Sequence, residues 1–246
     1  MSNLFAISTT IRVNFFFMCL AAKQKMKYIP QKMTIQVKPY SLWVAYDLKN
    51  RKQVANLLPP SYHLADNVRI LKDDPPYATP KLLFNAYGVD SPFMKGHRLE
   101  ILTIAKNSRG AVSFVVLDVL SNTLKWDPLQ GIAMANAHCS TRVEGERIFH
   151  TTRSGRRGFS VNGMLRHRTG IQSRFAVDAN HRCFFRNSSL SVVMDFDRSS
   201  VMRDVRRVFP TKIENTLWSD YRGDLTHCFV HTESMKFVVD ASEMVR

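Results

Sequence analysis

From Met33 to Asp240 the chain breaks into short apolar runs rich in β-branched and aromatic residues, punctuated by Pro, Gly, Asp and Asn. No regular alternation of strand and helix patterns links these runs, which argues against a doubly wound parallel sheet. Met33–Tyr46 reads as strand interrupted at Pro39, and Ala111–Leu120, AVSFVVLDVL, as a strand buried on both faces. Leu190–Asp197 and Met235–Asp240 add strands, and Phe175–Arg186 reads as a hairpin turning at Asp178-Ala179-Asn180. Two helices are expected. One lies within Tyr46–Leu58, with Asp47 as N-cap and Pro59-Pro60 as its stop, and the other is a surface helix over Ser199–Val208. At 246 residues and 45% hydrophobic the chain can bury one sizeable core. We expect a single mostly β domain over 33–246, with 1–32 as an extension outside it.

The chemistry concentrates in Lys81–Asn107, KLLFNAYGVDSPFMKGHRLEILTIAKN. If Arg98–Lys106 is extended, Arg98, Glu100, Leu102, Ile104 and Lys106 share one face. An ammonium held against apolar neighbours loses hydration, which disfavours its charged form, and a neutral amine attacks carbonyl carbon. The bland alternative is a strand-end Lys106 with its charge in water.

Three segments carry a resemblance: Asn56–Ile70, NLLPPSYHLADNVRI; Leu82–Glu100, LLFNAYGVDSPFMKGHRLE; and Asp118–Asn136, DVLSNTLKWDPLQGIAMAN. Together they resemble the acetoacetate decarboxylase-like family, as a divergent member. The resemblance implies a closed antiparallel β-barrel with a few short peripheral helices, an internal ligand cavity and self-association. It also places Lys106, six residues after Glu100, where that family keeps its Schiff-base lysine. The family's second lysine is replaced by Asn107, and its substrate-side glutamate falls in an insertion that is here the short link Lys72–Thr79, with Asp73 and Asp74 nearby. The expected function is therefore lysine Schiff-base chemistry on a small oxo-acid or related carbonyl compound, as a decarboxylase, dehydratase or aldol-type lyase. In it Lys106 and Glu100 are catalytic, Arg98 and Asp118 bind substrate, and no cofactor or metal is required. The alternative is a non-enzymatic small-ligand-binding protein on the same barrel.

The formal charge of +15 raises acidic partners. Residues 1–46 contain no Asp or Glu, and Arg142–Arg174 holds eight arginines against Glu144 and Glu146, interleaved with Phe149, Phe159 and Phe175 around an exposed SGRRG tip. Arginine with aromatics can follow phosphates and stack bases. No nucleic-acid module signature accompanies them, so nucleic acid is the lesser expectation.

Val13–Ala22 is too short an apolar run to span a bilayer, although a signal or transit segment fits it. A cytoplasmic location is expected otherwise. Cys19, Cys139, Cys183 and Cys228 are widely spaced and suggest no disulfide or metal framework. His227 and His231 would share a strand face but lack further ligands for zinc. Asp118, amid apolar residues, needs a partner, for which Arg98 or a turn is expected. No nucleophile elbow, phosphate loop or dinucleotide fingerprint occurs.

Overall fold

The computed structural model describes residues 32–71, 75–91, 94–125, 134–166, 180–185, 191–196 and 205–240. Lys32–Arg246 forms one compact unit. The extension expected over 1–32 lies, apart from Lys32, outside the described residues, as do Asp73, Asp74, the Phe175–Ala179 and Arg186 parts of the expected hairpin and the Ser199–Asp204 part of the expected surface helix.

The described residues contain strands β1 (Lys32–Val37), β2 (Ser41–Leu48), β3 (Tyr62–Leu64), β4 (Lys81–Asp90), β5 (Met94–Asn107), β6 (Val112–Ser121), β7 (Leu124–Lys125) and β8 (Met134–Asn136). They continue with β9 (His138–Glu144), β10 (Arg147–Ser154), β11 (Arg157–Arg166), β12 (Asn180–Phe185), β13 (Ser191–Phe196), β14 (Val205–Asn215), β15 (Arg222–His231) and β16 (Met235–Asp240). One short helix, α1 (Arg51–Ala55), follows β2.

Both helix expectations are corrected in part. Asp47 does not cap a helix; it stays in β2, paired across to Lys81, and α1 begins only after Asn50, which turns the chain with φ 49°. Val205–Val208, expected as the end of a surface helix, is strand. Its β-branched valines are stiff at χ1 and suit a sheet, and here the segment is paired between β11 and β15.

All the strands join one sheet, ordered β3-β5-β6-β12-β13-β16-β1-β4-β2-β15-β14-β11-β10-β9, with β7 and β8 pairing β5 and β6 off that path. The expected closed antiparallel barrel is corrected on two counts. The path ends at β3 and β9, and β6 pairs in parallel with β12 and β8. The cause lies at β4, which gives β1 only the pair Val37↔Val89 and gives β2 the stretch from Lys81 to Ala86. The sheet therefore runs on through β2 and β15 to β9. An additional β4–β5 pairing joins strands far apart on the path, so the sheet curls back on itself there.

Each residue of β2, β4, β5, β6 and β15 points to one of two faces. The first face carries Leu42, Val44, Leu82, Phe84, Leu99, Ile101 and Val230 and packs against Ile148, Phe159, Val161, Leu165 and Val208 from β10, β11 and β14. Phe84 stacks on Phe159 with ring centroids 5.2 Å apart. The opposite face carries Trp43, stacked on Phe229 at 6.1 Å and tilted against Phe114 at 6.0 Å. The register of β5 with β6 shifts between Ile101↔Asp118 and Leu102↔Val116, leaving Leu117 unopposed as a bulge. Strict alternation from Val116 would place Asp118 on the Arg98 face. The bulge turns it to the other.

Candidate functional site

Antiparallel register aligns polar residues into two rows across the Trp43 face. His231 pairs with Ser41 and Arg98 with both Tyr87 and Ser121, while Asn85 pairs with Glu100 and with Trp43. Ser41, Asn85, Arg98, Glu100, Ser121 and His231 are all buried. Buried polar groups of this kind are tolerated only when satisfied. Arg98 Nη2 lies 2.9 Å from Glu100 Oε1, and the Tyr87 hydroxyl donates to the same oxygen at 2.7 Å. The Arg98 guanidinium carbon is 6.0 Å from the Tyr87 ring centre, and Ser41 Oγ donates to Asn85 Oδ1 at 3.1 Å. The side chains of Arg98 and Glu100 retain 3% and 10% of their exposure. A guanidinium, a carboxylate and a phenol thus meet in a dry setting, where polar interactions are strong. Such a group can orient a carboxylate or carbonyl and exchange a proton with it.

Lys106 does share the face of Glu100 and Arg98, as alternation predicts, but stands at the far end of β5. Six extended residues separate it from Glu100, about 20 Å along the strand. Its Nζ lies 2.6 Å from Asp66 Oδ1, its side chain is 31% exposed, and β3 pairs beside it through His63. That hydrogen bond from Lys106 holds the Asp66 carboxyl below its usual pKa. The apolar desolvation expected of Lys106 is replaced by a partly exposed ion pair.

Asp118 does not pair with Arg98. From the opposite face it takes Arg157 Nη2 as ion-pair partner, accepts the Trp218 indole N–H at 3.2 Å and accepts the Val119 amide N–H at 3.0 Å. It thereby ties the SGRRG turn, where Ser154 pairs with Arg157 and Gly155 adopts φ 58°, to the main sheet. The tip is exposed at Gly155 and Arg156 and anchored at Arg157.

Sequence reasoning missed Tyr87, Asn85 and Lys81. The signal was present, because residues 81, 85 and 87 fall on one face of the otherwise apolar KLLFNAYGV. Lys81 is buried, with Nζ 2.5 Å from Asp47 Oδ1, 3.3 Å from Thr79 Oγ1 and 4.8 Å from the Tyr77 ring centre. Partial burial opposes ionisation of Asp47, but the hydrogen bonds from Lys81 and Thr79 outweigh it and lower its pKa. Tyr77 also meets the His227 ring edge-on at 4.9 Å. Among the described residues no group of three or more His, Cys, Asp or Glu could hold a metal ion. No helix among them is long and apolar enough to cross a membrane. A cavity of about 240 Å³ opens away from the polar rows, where β14 and β15 splay apart at Val208–Pro210 and Leu225–Cys228.

No family model matches the chain, and no curated protein matches it by sequence. Solved structures do match it in fold. The acetoacetate decarboxylase of Legionella pneumophila is 8% identical with a TM-score of 0.54, covering 86% of this chain and 87% of that one. An acetoacetate decarboxylase-like enzyme of Sphingomonas wittichii is 9% identical with a TM-score of 0.55, covering 89% and 94%. The enduracididine biosynthesis enzyme MppR, complexed with the condensation product of pyruvate and imidazole 4-carboxaldehyde, is 12% identical with a TM-score of 0.52, covering 86% and 88%. The fold read from the three sequence segments is therefore shared with acetoacetate decarboxylase-like enzymes.

Proposed function

We infer that this chain binds a small oxo-acid or related carbonyl compound against the Arg98–Glu100–Tyr87 cluster. The observation that carries the reading is this buried cluster, in which Arg98 and Tyr87 converge on one carboxylate oxygen in a fold shared with acetoacetate decarboxylase-like enzymes. Arg98 would take the ligand carboxylate through its planar fork, and Tyr87 and Glu100 would hydrogen-bond the carbonyl end.

The stricter reading is Schiff-base catalysis, favoured by the likeness to MppR, which is complexed with a condensation product of pyruvate and imidazole 4-carboxaldehyde. Here the Lys106 amine would add to the ketone carbon and expel water, and the protonated imine would draw electrons from the adjacent bond while Glu100 moves protons. Asp66 has to release Lys106 first, and Glu100 lies about 20 Å away along the strand. The geometry therefore favours binding over imine chemistry.

Borohydride reduction in the presence of a panel of 2-oxo and 3-oxo acids, followed by peptide mass analysis of wild type and Lys106→Ala, separates the two. Saturable ligand binding without a reducible adduct supports the binding protein. A substrate-dependent adduct on Lys106 establishes the enzyme, and neither binding nor adduct refutes both.

A further inference from the structure

The Trp43 face changes role along the sheet. On β9, β10, β11 and β14 the same sheet turns its inner side to the core, and its outer side faces solvent. Register fixes what stands there. Arg142 pairs with Phe149, Phe149 with Asn162 and Asn162 with Lys212, while the next row runs Glu144, Arg147, Met164 and Phe209. Arg153 and Arg166 extend the same surface along β10 and β11. Among the described residues its cations are Arg142, Arg147, Arg153, Arg166, Arg207 opposite Arg166, and Lys212, and the carboxylates beside them are Glu144, 3.4 Å from Arg142 Nη1, and Glu214, 2.7 Å from Lys212 Nζ.

The aromatic rings on this surface are laid against guanidinium groups. Arg142 and Arg147 lie 4.7 Å and 5.8 Å from the Phe149 ring centre, and Arg166 lies 4.9 Å from that of Phe209. Phe209 is 45% exposed, one of the exposed large hydrophobic residues, and borders the cavity between β14 and β15. An open sheet that alternates planar cations with aromatic rings offers stacking platforms beside phosphate-binding charge.

We propose that the outer face of β9, β10, β11 and β14 binds single-stranded nucleic acid. Phosphates would take Arg142, Arg147, Arg153 and Lys212, and bases would stack on the guanidinium-capped Phe149 and on Phe209. Two rival occupants fit less well. A second copy brings the same positive charge, from a chain of formal charge +15. A lipid surface would be met by several protruding apolar side chains, whereas on this face Phe209 is the large hydrophobic exposed among the described residues and Phe149 is half-buried under two guanidiniums.

The test is fluorescence anisotropy with a labelled single-stranded oligouridylate of about ten nucleotides. Inorganic polyphosphate serves as competitor, and phosphatidylserine vesicles as a separate probe. With four phosphate contacts, affinity should fall roughly 50-fold between about 50 and about 200 mM salt. The Arg142→Ala/Arg147→Ala variant should flatten that slope. Phe209→Leu should weaken the oligonucleotide by about tenfold while leaving polyphosphate binding unchanged. These side chains face solvent, so thermal unfolding should be preserved. The proposal is overturned if the oligonucleotide does not bind at about 50 mM salt. It is equally overturned if the Phe209 variant weakens neither probe, or if only vesicles bind. None of these outcomes depends on Arg98, Glu100 or Lys106, so the ligand reading stands or falls separately.

Discussion

Arg98 and Glu100, two residues apart on one face of β5, form a buried ion pair with Nη2 2.9 Å from Oε1. A buried pair contributes little net stability, but removing one member leaves an uncompensated charge. Glu100→Leu should therefore cost about 3 to 5 kcal/mol in denaturant unfolding. Glu100→Gln, which keeps an acceptor for the Tyr87 hydroxyl, should cost less. Equal loss in the two variants would show that the charge is not what matters.

Asp118 ties a distant hairpin to the sheet, and its carboxylate is the shared acceptor for Arg157 and Trp218. Asp118→Ala should destabilise by about 1 to 3 kcal/mol, because it leaves a partly buried indole N–H and a cation without their acceptor. Arg157→Ala should cost less, since its side chain is nearly half exposed. Trp218 fluorescence should shift in Asp118→Ala. An unshifted spectrum with full stability would contradict the anchoring role.

His150 is fully enclosed between the hydroxyls of Thr141 and Thr152, at 2.8 Å from each, and burial pushes its pKa down to about 3. The unfolded chain, with histidine near its ordinary 6.5, therefore binds more protons than the folded one between those two values. Stability from this group is complete above that window and is lost as pH falls through it, by about 1.4 kcal/mol per unit at most. His150→Asn should lower stability at neutral pH and reduce the slope of stability against pH below 6.5. An unchanged slope would sink the assignment.

Gly163 sits where β11 shifts register against β14, and a Cβ there would lie 2.5 Å from Val208 Cγ1 and 3.1 Å from the Phe209 carbonyl oxygen. Gly163→Ala should cost about 1 to 3 kcal/mol, as overpacking does. It should also weaken oligonucleotide binding, since Phe209 moves with that backbone. Wild-type stability in this variant would mean that the two strands part without cost.

Much of the architecture was legible because strand periodicity is local. The break at Pro39, the buried run over Ala111–Leu120 and the strand at Met235–Asp240 all follow from residue type and period. What failed was set by distant partners. Asp47 reads as a helix cap until Lys81 is known to lie across from it, and Val201, Val205 and Val208 have helical spacing although the last two stand in a strand held on both edges. Of the two partners expected for Asp118, Arg98 is excluded by the bulge at Leu117, which inverts the alternation, while the SGRRG turn supplies the other through Arg157. The Glu100-to-Lys106 spacing was read correctly as one shared face. How far apart that face holds them depends on β5 staying extended to its end beside β3.

The central claim is that Arg98, Glu100 and Tyr87 receive a small oxo-acid. Isothermal titration calorimetry of a 2-oxo and 3-oxo acid panel against wild type, Arg98→Lys and Tyr87→Phe tests it, with unfolding temperature measured alongside. Saturable binding by wild type should weaken by about tenfold in Arg98→Lys, where the bidentate fork is lost, and less in Tyr87→Phe, with both variants folded. Binding by no acid of the panel, or binding that both folded variants preserve, would contradict the claim.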